Sequence, residues 1–258
     1  MLWFTLKRSL LMVLMMVGLL VITFTISQIA PGDPAALAAG PDATQEMIER
    51  IRVEYGLDKP AYHQFLIYLG KLISGDWGKS LTTTHAVWDD LVDFFPATFE
   101  LVMFSILVAI VIGIPLGVLA AFHQNSRIDH IIRIGTVAGV AMPMFWLGLM
   151  IQLFFALQLD WFPLGSQINM MTDPPAPITH LLLVDALLRG EFDTFVEGLH
   201  HIILPAVALC LPALASIIRV NRAEMLETLH EDYITNARAQ GLSTFRIVAI
   251  YALKNAML

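Results

Sequence analysis

The sequence predicts an all-α polytopic membrane protein, and three observations predict it. The chain is 57% hydrophobic and 14% charged, with a mean hydropathy of +0.70, whereas soluble domains carry about 25% charge. The hydrophobicity also comes in blocks. No Asp, Glu, Lys or Arg occurs between Arg8 and Asp33, Glu100 and Arg127, Arg133 and Asp160, or Glu197 and Arg219. Each block reaches the ~20 residues a helix needs to cross a bilayer. Finally, basic residues fall in the alternating pattern of a four-span chain with its amino terminus in the cytoplasm. Lys7 and Arg8 precede the first span, and Arg127, Arg133, Arg219, Arg222, Arg238, Arg246 and Lys254 fall on the same side.

The first block follows a basic pair, as a secretory signal does, but its apolar run from Ser9 to Ala30 exceeds the ~7–15 residues of a signal core. It is therefore expected to stay as the first membrane helix. Segment 31–96 is assigned outside. It carries five basic residues (Arg50, Arg52, Lys59, Lys71, Lys79), but loops of that length are translocated largely regardless of charge. Within it, Asp42–Tyr55 places Met47, Ile48, Ile51 and Tyr55 at helical spacing, and Ala61–Ile73 does the same with Tyr62, Phe65, Leu66, Leu69 and Leu72. Gly56–Pro60 breaks the two, and Gly75–Ser80 is rich in turn residues. Two short helices on the outer membrane surface and a loop are predicted. The chain divides accordingly into residues 1–94, the first span with its outer segment, and 95–258, the remaining spans.

The second span holds Gly113-Ile-Pro115-Leu-Gly117, a small-xxx-small face that lets helices approach closely, combined with a proline that frees a carbonyl. Pro143 is expected to interrupt the third span, and Pro205 and Pro212 the fourth. Prolines in three successive spans suggest helices bent around a path, although packing accounts for any one of them equally well.

Other chemistry is sparse. A net charge of −7 argues against a protein-wide attraction to nucleic acid. Cys210 is alone, so there is no disulfide framework, and it reads as a small packing residue. The histidines lack ligand spacing, and His200-His201 suit the membrane interface better than zinc. No cofactor or metal site is predicted. Glu100, Asp160 and Asp129-His130 sit at span edges, where water is expected to reach them. With no carboxylate pair inside a span and no serine–histidine arrangement, a membrane enzyme is disfavoured. An ion-driven carrier is disfavoured for the same lack of charge within the spans.

The last stretch, Arg219–Leu258, carries Asp232-Tyr-Ile-Thr-Asn-Ala237-Arg238-Ala239-Gln-Gly241-Leu242-Ser243. Gly241 is placed to end a helix in the left-handed conformation, with Ser243 N-capping the next, though Arg246 excludes a capping box. The region, about 223–256, resembles the cytoplasmic coupling loop of ABC importer permeases. The resemblance extends along the chain through Ala30–Pro34, Tyr55–Pro60, Gly75–Ser80, Phe95-Pro-Ala-Thr-Phe-Glu100, Gly113–Gly117, Pro143–Gly148, Trp161-Phe-Pro163, Ile203-Leu-Pro205, Arg219-Val-Asn-Arg222 and Leu253–Ala256. Together these are similar to the permease subunits of the dipeptide/oligopeptide/nickel branch, with a type I importer fold.

That resemblance implies a multi-pass subunit of the bacterial inner membrane, working with a second permease (a paralogue by family habit), two cytosolic ATPases and an extracytoplasmic binding protein. ATP hydrolysis is then expected on the separate subunits; the chain itself has no phosphate-binding loop. By resemblance, Ala237, Arg238, Ala239, Gly241 and Leu242 dock the ATPase, and nucleotide-driven motion there switches the spans between inward- and outward-open states. The branch typically has six membrane helices, so four of six are expected here, with the chain stopping after the coupling region as a truncated product would. Peptide is the default cargo, with nickel or another small solute as the alternative. Substrate-contact residues stay unassigned.

Overall fold

The computed structural model describes residues 2–29, 33–40, 43–54, 56–80 and 82–256. It comprises two compact units, Met1–Asp93 and Phe94–Leu258. Among the described residues every regular element is helical, apart from one isolated antiparallel bridge between Lys79 and Ala86.

In the first unit, α1 (Leu2–Ile29) is apolar around its whole circumference, and its side chains are exposed on every face, as a lipid-facing span requires. Thr23 and Thr25 turn their hydroxyls back onto the carbonyls of Leu19, Leu20 and Val21, which hides the polar groups within the helix. Near its far end, Phe24 packs against Phe65 and Tyr68, with ring centroids 5.4 and 6.1 Å apart. Those rings belong to α4 (Ala61–Ile73), one of the two short helices anticipated from apolar spacing. The other is α3 (Gln45–Glu54). Its expected ends, Asp42 and Tyr55, lie outside the described residues, as do Ala30, Pro31 and Gly32. An additional helix, α2 (Pro34–Ala39), starts at Asp33, whose carboxylate accepts from Ala35 N–H and also holds Arg52 of α3. The Gly75–Ser80 stretch is a turn, with Gly75 and Gly78 at φ +84° and +75°.

The second unit is built on two long helices, α5 (Val87–Phe122), which enters it at Phe94, and α9 (Phe192–Leu229). Both are long and apolar enough to cross a membrane. Between them come α6 (Arg127–Ala141), α7 (Met144–Ile151) with its π-helical continuation Gln152–Gln158, and the short α8 (Leu182–Arg189). After α9 follow α10 (Asp232–Ala239) and one helical run made of α11 (Thr244–Arg246), a π-helical segment Ile247–Ala252, and α12 (Leu253–Ala256).

The prolines behave differently from the sequence expectation. α5 runs unbroken through Pro96 and Pro115, and α9 through Pro205 and Pro212. Only Pro143 makes a break. Met142 before it is extended (φ −85°, ψ 136°), the conformation a following proline imposes, and the axes of α6 and the α7 segment differ by 104°.

Despite that bend, α6 and the α7 segment carry the chain from one end of the unit to the other. Ala121, at the end of α5, shares a buried cluster with Met225, near the end of α9. At the opposite ends, Glu100 of α5 accepts a hydrogen bond from Leu183 N–H at 2.7 Å, and Gly198 of α9 packs against Leu182 and Leu183. Arg222 holds Asp129 at the start of α6, whereas His200 and His201 hold the carbonyls of Trp161 and Gly165 beyond the π-helix. The bent pair is thus the third span of the four expected. α9 is the hub of the unit, packing against α6, α7 and α8.

Candidate coupling site

α10 ends where its sequence says it should. Gly241 has φ +75°, its N–H donates to Arg238 C=O (3.0 Å), and Leu242 N–H donates to Ala237 C=O (3.3 Å). This pair of bonds is the Schellman stop, which L-residues with a Cβ enter at a cost. Ser243 takes the N-cap position of α11 (φ −64°, ψ 144°), but its side chain makes no capping bond. The expectation of a serine cap is corrected here: the residue is exposed to solvent, and Arg246 offers no carboxylate to complete a box.

The five residues assigned to ATPase docking point in two directions. Ala237 is buried in a cluster with Ala121, Met225, Ile234, Ile247 and Ala252, and Leu242 packs against that cluster. Arg238, Ala239 and Gly241 are exposed, alongside Asp232, Asn236 and Gln240. Ile234 and Met225 are fully buried. One face of α10 is therefore a greasy seat on α5, α9 and the last helical run, and the other is a polar, small-residue surface. Tyr233 Oη accepts from Asn255 Nδ2 at 3.0 Å, which pins the two arms of the hairpin together.

Of the bending and packing positions, Gly113 and Gly117 lie against α9. A Cβ on Gly113 would come within 2.9 Å of Ile217, and one on Gly117 within 2.8 Å of Asn221 Nδ2 and 3.2 Å of the Ile218 carbonyl. Beside Pro115, Asn221 Nδ2 donates to Ile114 C=O at 2.9 Å.

The sequence reading placed Glu100, Asp129, His130 and Asp160 where water reaches them; Glu100 and Asp129 are in fact buried, whereas His130 and Asp160 are exposed. Asp129 is fully enclosed and gripped by Arg222 through two bonds of 2.7 Å. Glu100 sits at the amino end of α8, where its charge meets unpaired N–H groups and the positive end of the helix. Asp185, in the first turn of α8, is also buried and organises the preceding loop. The burial of Glu100 and Asp129 escaped sequence reasoning because their partners are remote in the chain: Arg222 is 93 residues from Asp129 and Leu183 is 83 from Glu100. A cavity of about 210 Å³ touches Glu100, Gln167, His201 and Pro205. It is below the ~300 Å³ of ordinary small-molecule sites.

The second unit thus joins membrane-length helices to a short helix, α10, seated at one end, and the comparisons place the chain in a family. The chain belongs to the binding-protein-dependent transport system inner membrane components: residues 113–258 match that family's model, and residues 1–102 match the model of its N-terminal membrane component. It is 45% identical, over 96% of its length and 73% of the relative's, to the probable D,D-dipeptide transport system permease protein of Escherichia coli strain K12. It is 39% identical to the di/tripeptide transport system permease protein of Pseudomonas aeruginosa strain UCBPP-PA14, over its full length and 77% of that protein. With the dipeptide transport system permease protein of Escherichia coli K12 the identity is 37%, with the same coverage.

Proposed function

We propose that this chain is the membrane-spanning permease subunit of an ATP-driven importer of peptides. The observation that carries the reading is its membership of the inner-membrane-component family together with relatives named for di- and tripeptide transport. The energy comes from two ATPase subunits in the cytosol, a second permease completes the pore, and an extracytoplasmic binding protein delivers the substrate. α10 faces the cytosol, as does the amino terminus.

In this reading the exposed face of α10, with Arg238, Ala239 and Gly241, meets the ATPase. Small residues allow the partner backbone close, Arg238 supplies a directional charge, and the Gly241 stop presents the end of the helix. Ala237 and Leu242 act from beneath, seating α10 on α5 and α9 so that a push on its outer face moves the spans. Closure of the ATPases on ATP then biases the permease between two arrangements that open to opposite sides.

The test is the assembled transporter in liposomes carrying Arg238→Glu or Gly241→Asp. Each change is expected to abolish peptide-stimulated ATP hydrolysis while membrane insertion stays intact. Uptake that survives both changes unaltered would remove α10 as the coupling element.

A further inference from the structure

The docking face leaves unused the most tightly held ion pair in the second unit. Asp129, in the first turn of α6, accepts from Arg222 Nε through one oxygen and from Arg222 Nη2 through the other, both at 2.7 Å. The second oxygen also accepts from Asn125 N–H at 3.0 Å, and Asn125 (φ +60°) is the left-handed residue in the turn joining α5 to α6. One carboxylate thus joins the α5–α6 turn, α6 and α9. Arg222 lies one helical turn before Met225, whose side chain is fully buried in the seat of α10. The fork and the seat share the same last turns of α9 and the same end of α5.

Stability alone is a poor explanation for such a pair. A buried ion pair is costly to desolvate, and apolar residues of similar volume often do as well or better. What the guanidinium fork adds is fixed direction and distance, because two parallel bonds hold a planar group against a planar carboxylate. The beneficiary here is the joint between the α10 seat and the bent α6–α7 segment.

We propose that Asp129 and Arg222 are positioning residues for transport: the fork locks the α5–α6 turn to α9, so that displacement of α10 is carried into α6 and α7 as rigid-body motion. This rests on the coupling role of α10 given above. Without the fork the turn yields, and ATPase closure moves α9 while α6 lags behind.

The experiment uses the complete transporter in liposomes, with alanyl-alanine as the peptide probe. Asp129→Asn and Arg222→Lys are compared with the apolar pair Asp129→Leu/Arg222→Met, which removes the buried charges together. ATP hydrolysis is expected to keep its KM in all three, while the ratio of peptide-stimulated to basal rate falls roughly tenfold toward unity. The apolar pair is expected to recover assembly and thermal stability but not stimulation; if it restores the wild-type ratio, the fork is mere packing and the proposal fails. A second measurement leaves the fork intact: spin labels at Gln124 and Glu227, both exposed, in a Cys210→Ala background. Their distance should be the same with and without ATP, and a nucleotide-dependent change would overturn the rigid joint. A wild-type complex that hydrolyses ATP but ignores peptide would sink the substrate assignment instead, leaving the distance measurement to decide the fork.

Discussion

Asp185 accepts from the backbone N–H groups of Ile178, Thr179 and His180 and from the Thr179 hydroxyl, all within 2.7–3.0 Å. Burial alone pushes its carboxyl up, but the hydrogen bonds together, led by the Thr179 hydroxyl, outweigh that and hold it below the usual carboxylate range. Asp185→Asn keeps the shape but turns an NH2 group toward those donors, leaving at least one partly buried N–H without its charged acceptor, a bond worth about 1–3 kcal/mol. Amide exchange at Ile178–His180 is therefore expected to quicken roughly tenfold in the variant. The pH dependence follows from the sign of the shift. A carboxyl with a lowered folded-state pKa contributes fully above its unfolded value, near 3.9, and loses that contribution as pH falls through the folded value. Wild-type protection, corrected for intrinsic exchange, should be flat from neutrality to about pH 5, fall only below about pH 4, and show no such step in Asp185→Asn.

Between α5 and α9 the contact is set by glycine. Gly117→Val would thrust a branched side chain into Asn221 and the Ile218 carbonyl. Because backbone cannot swing aside as a side-chain tip does, the expected cost is about 1–3 kcal/mol, read as a lower thermal midpoint of the purified subunit. Gly18→Val on α1 is the control: no described residue lies within 4 Å of where its Cβ would stand, and the midpoint should hold. An unchanged midpoint in Gly117→Val would mean that the helices do not meet as closely as described. Helix existence was legible in the sequence because charge-free blocks longer than a bilayer admit little else, and the Gly241 stop was legible because its chemistry is local. The prolines were not. Whether a proline breaks a helix depends on how the surrounding packing accommodates the carbonyl it frees one turn back, which the local sequence does not specify. The π-helical segments were equally invisible, since their residues Gln152–Gln158 and Ile247–Ala252 carry ordinary helical patterns. The stretch proposed to dock the ATPase was visible in the sequence as a run of residues but not as a surface: only packing shows that Ala237 faces inward while Arg238 and Ala239 face out.

For the molecule in its membrane, the contacts at the two ends of α5 and α9 demand that the bent α6–α7 pair cross the bilayer. The α5–α6 turn must then share a side with α10, and the loop after the π-helix must lie on the other. Which side is which is argued from the basic residues, leaving aside Arg222, which is paired with Asp129. The remaining votes are Arg127, Arg133, Arg219, Arg238, Arg246 and Lys254 at the α10 end, against Arg189 at the α8 end. With Arg222 left out, the count still favours the proposed cytoplasmic placement of α10. Single cysteines at Gln124, Gln240 and Met170, in a Cys210→Ala background, test both statements in intact cells with an impermeant maleimide. Met170, almost fully exposed, should label from outside, and Gln124 and Gln240 only after the membrane is opened. Labelling of Gln124 together with Met170 would make the α6–α7 pair re-entrant and remove the third crossing. Labelling of Gln124 and Gln240 from outside, with Met170 protected, would invert the subunit and separate α10 from any cytosolic ATPase.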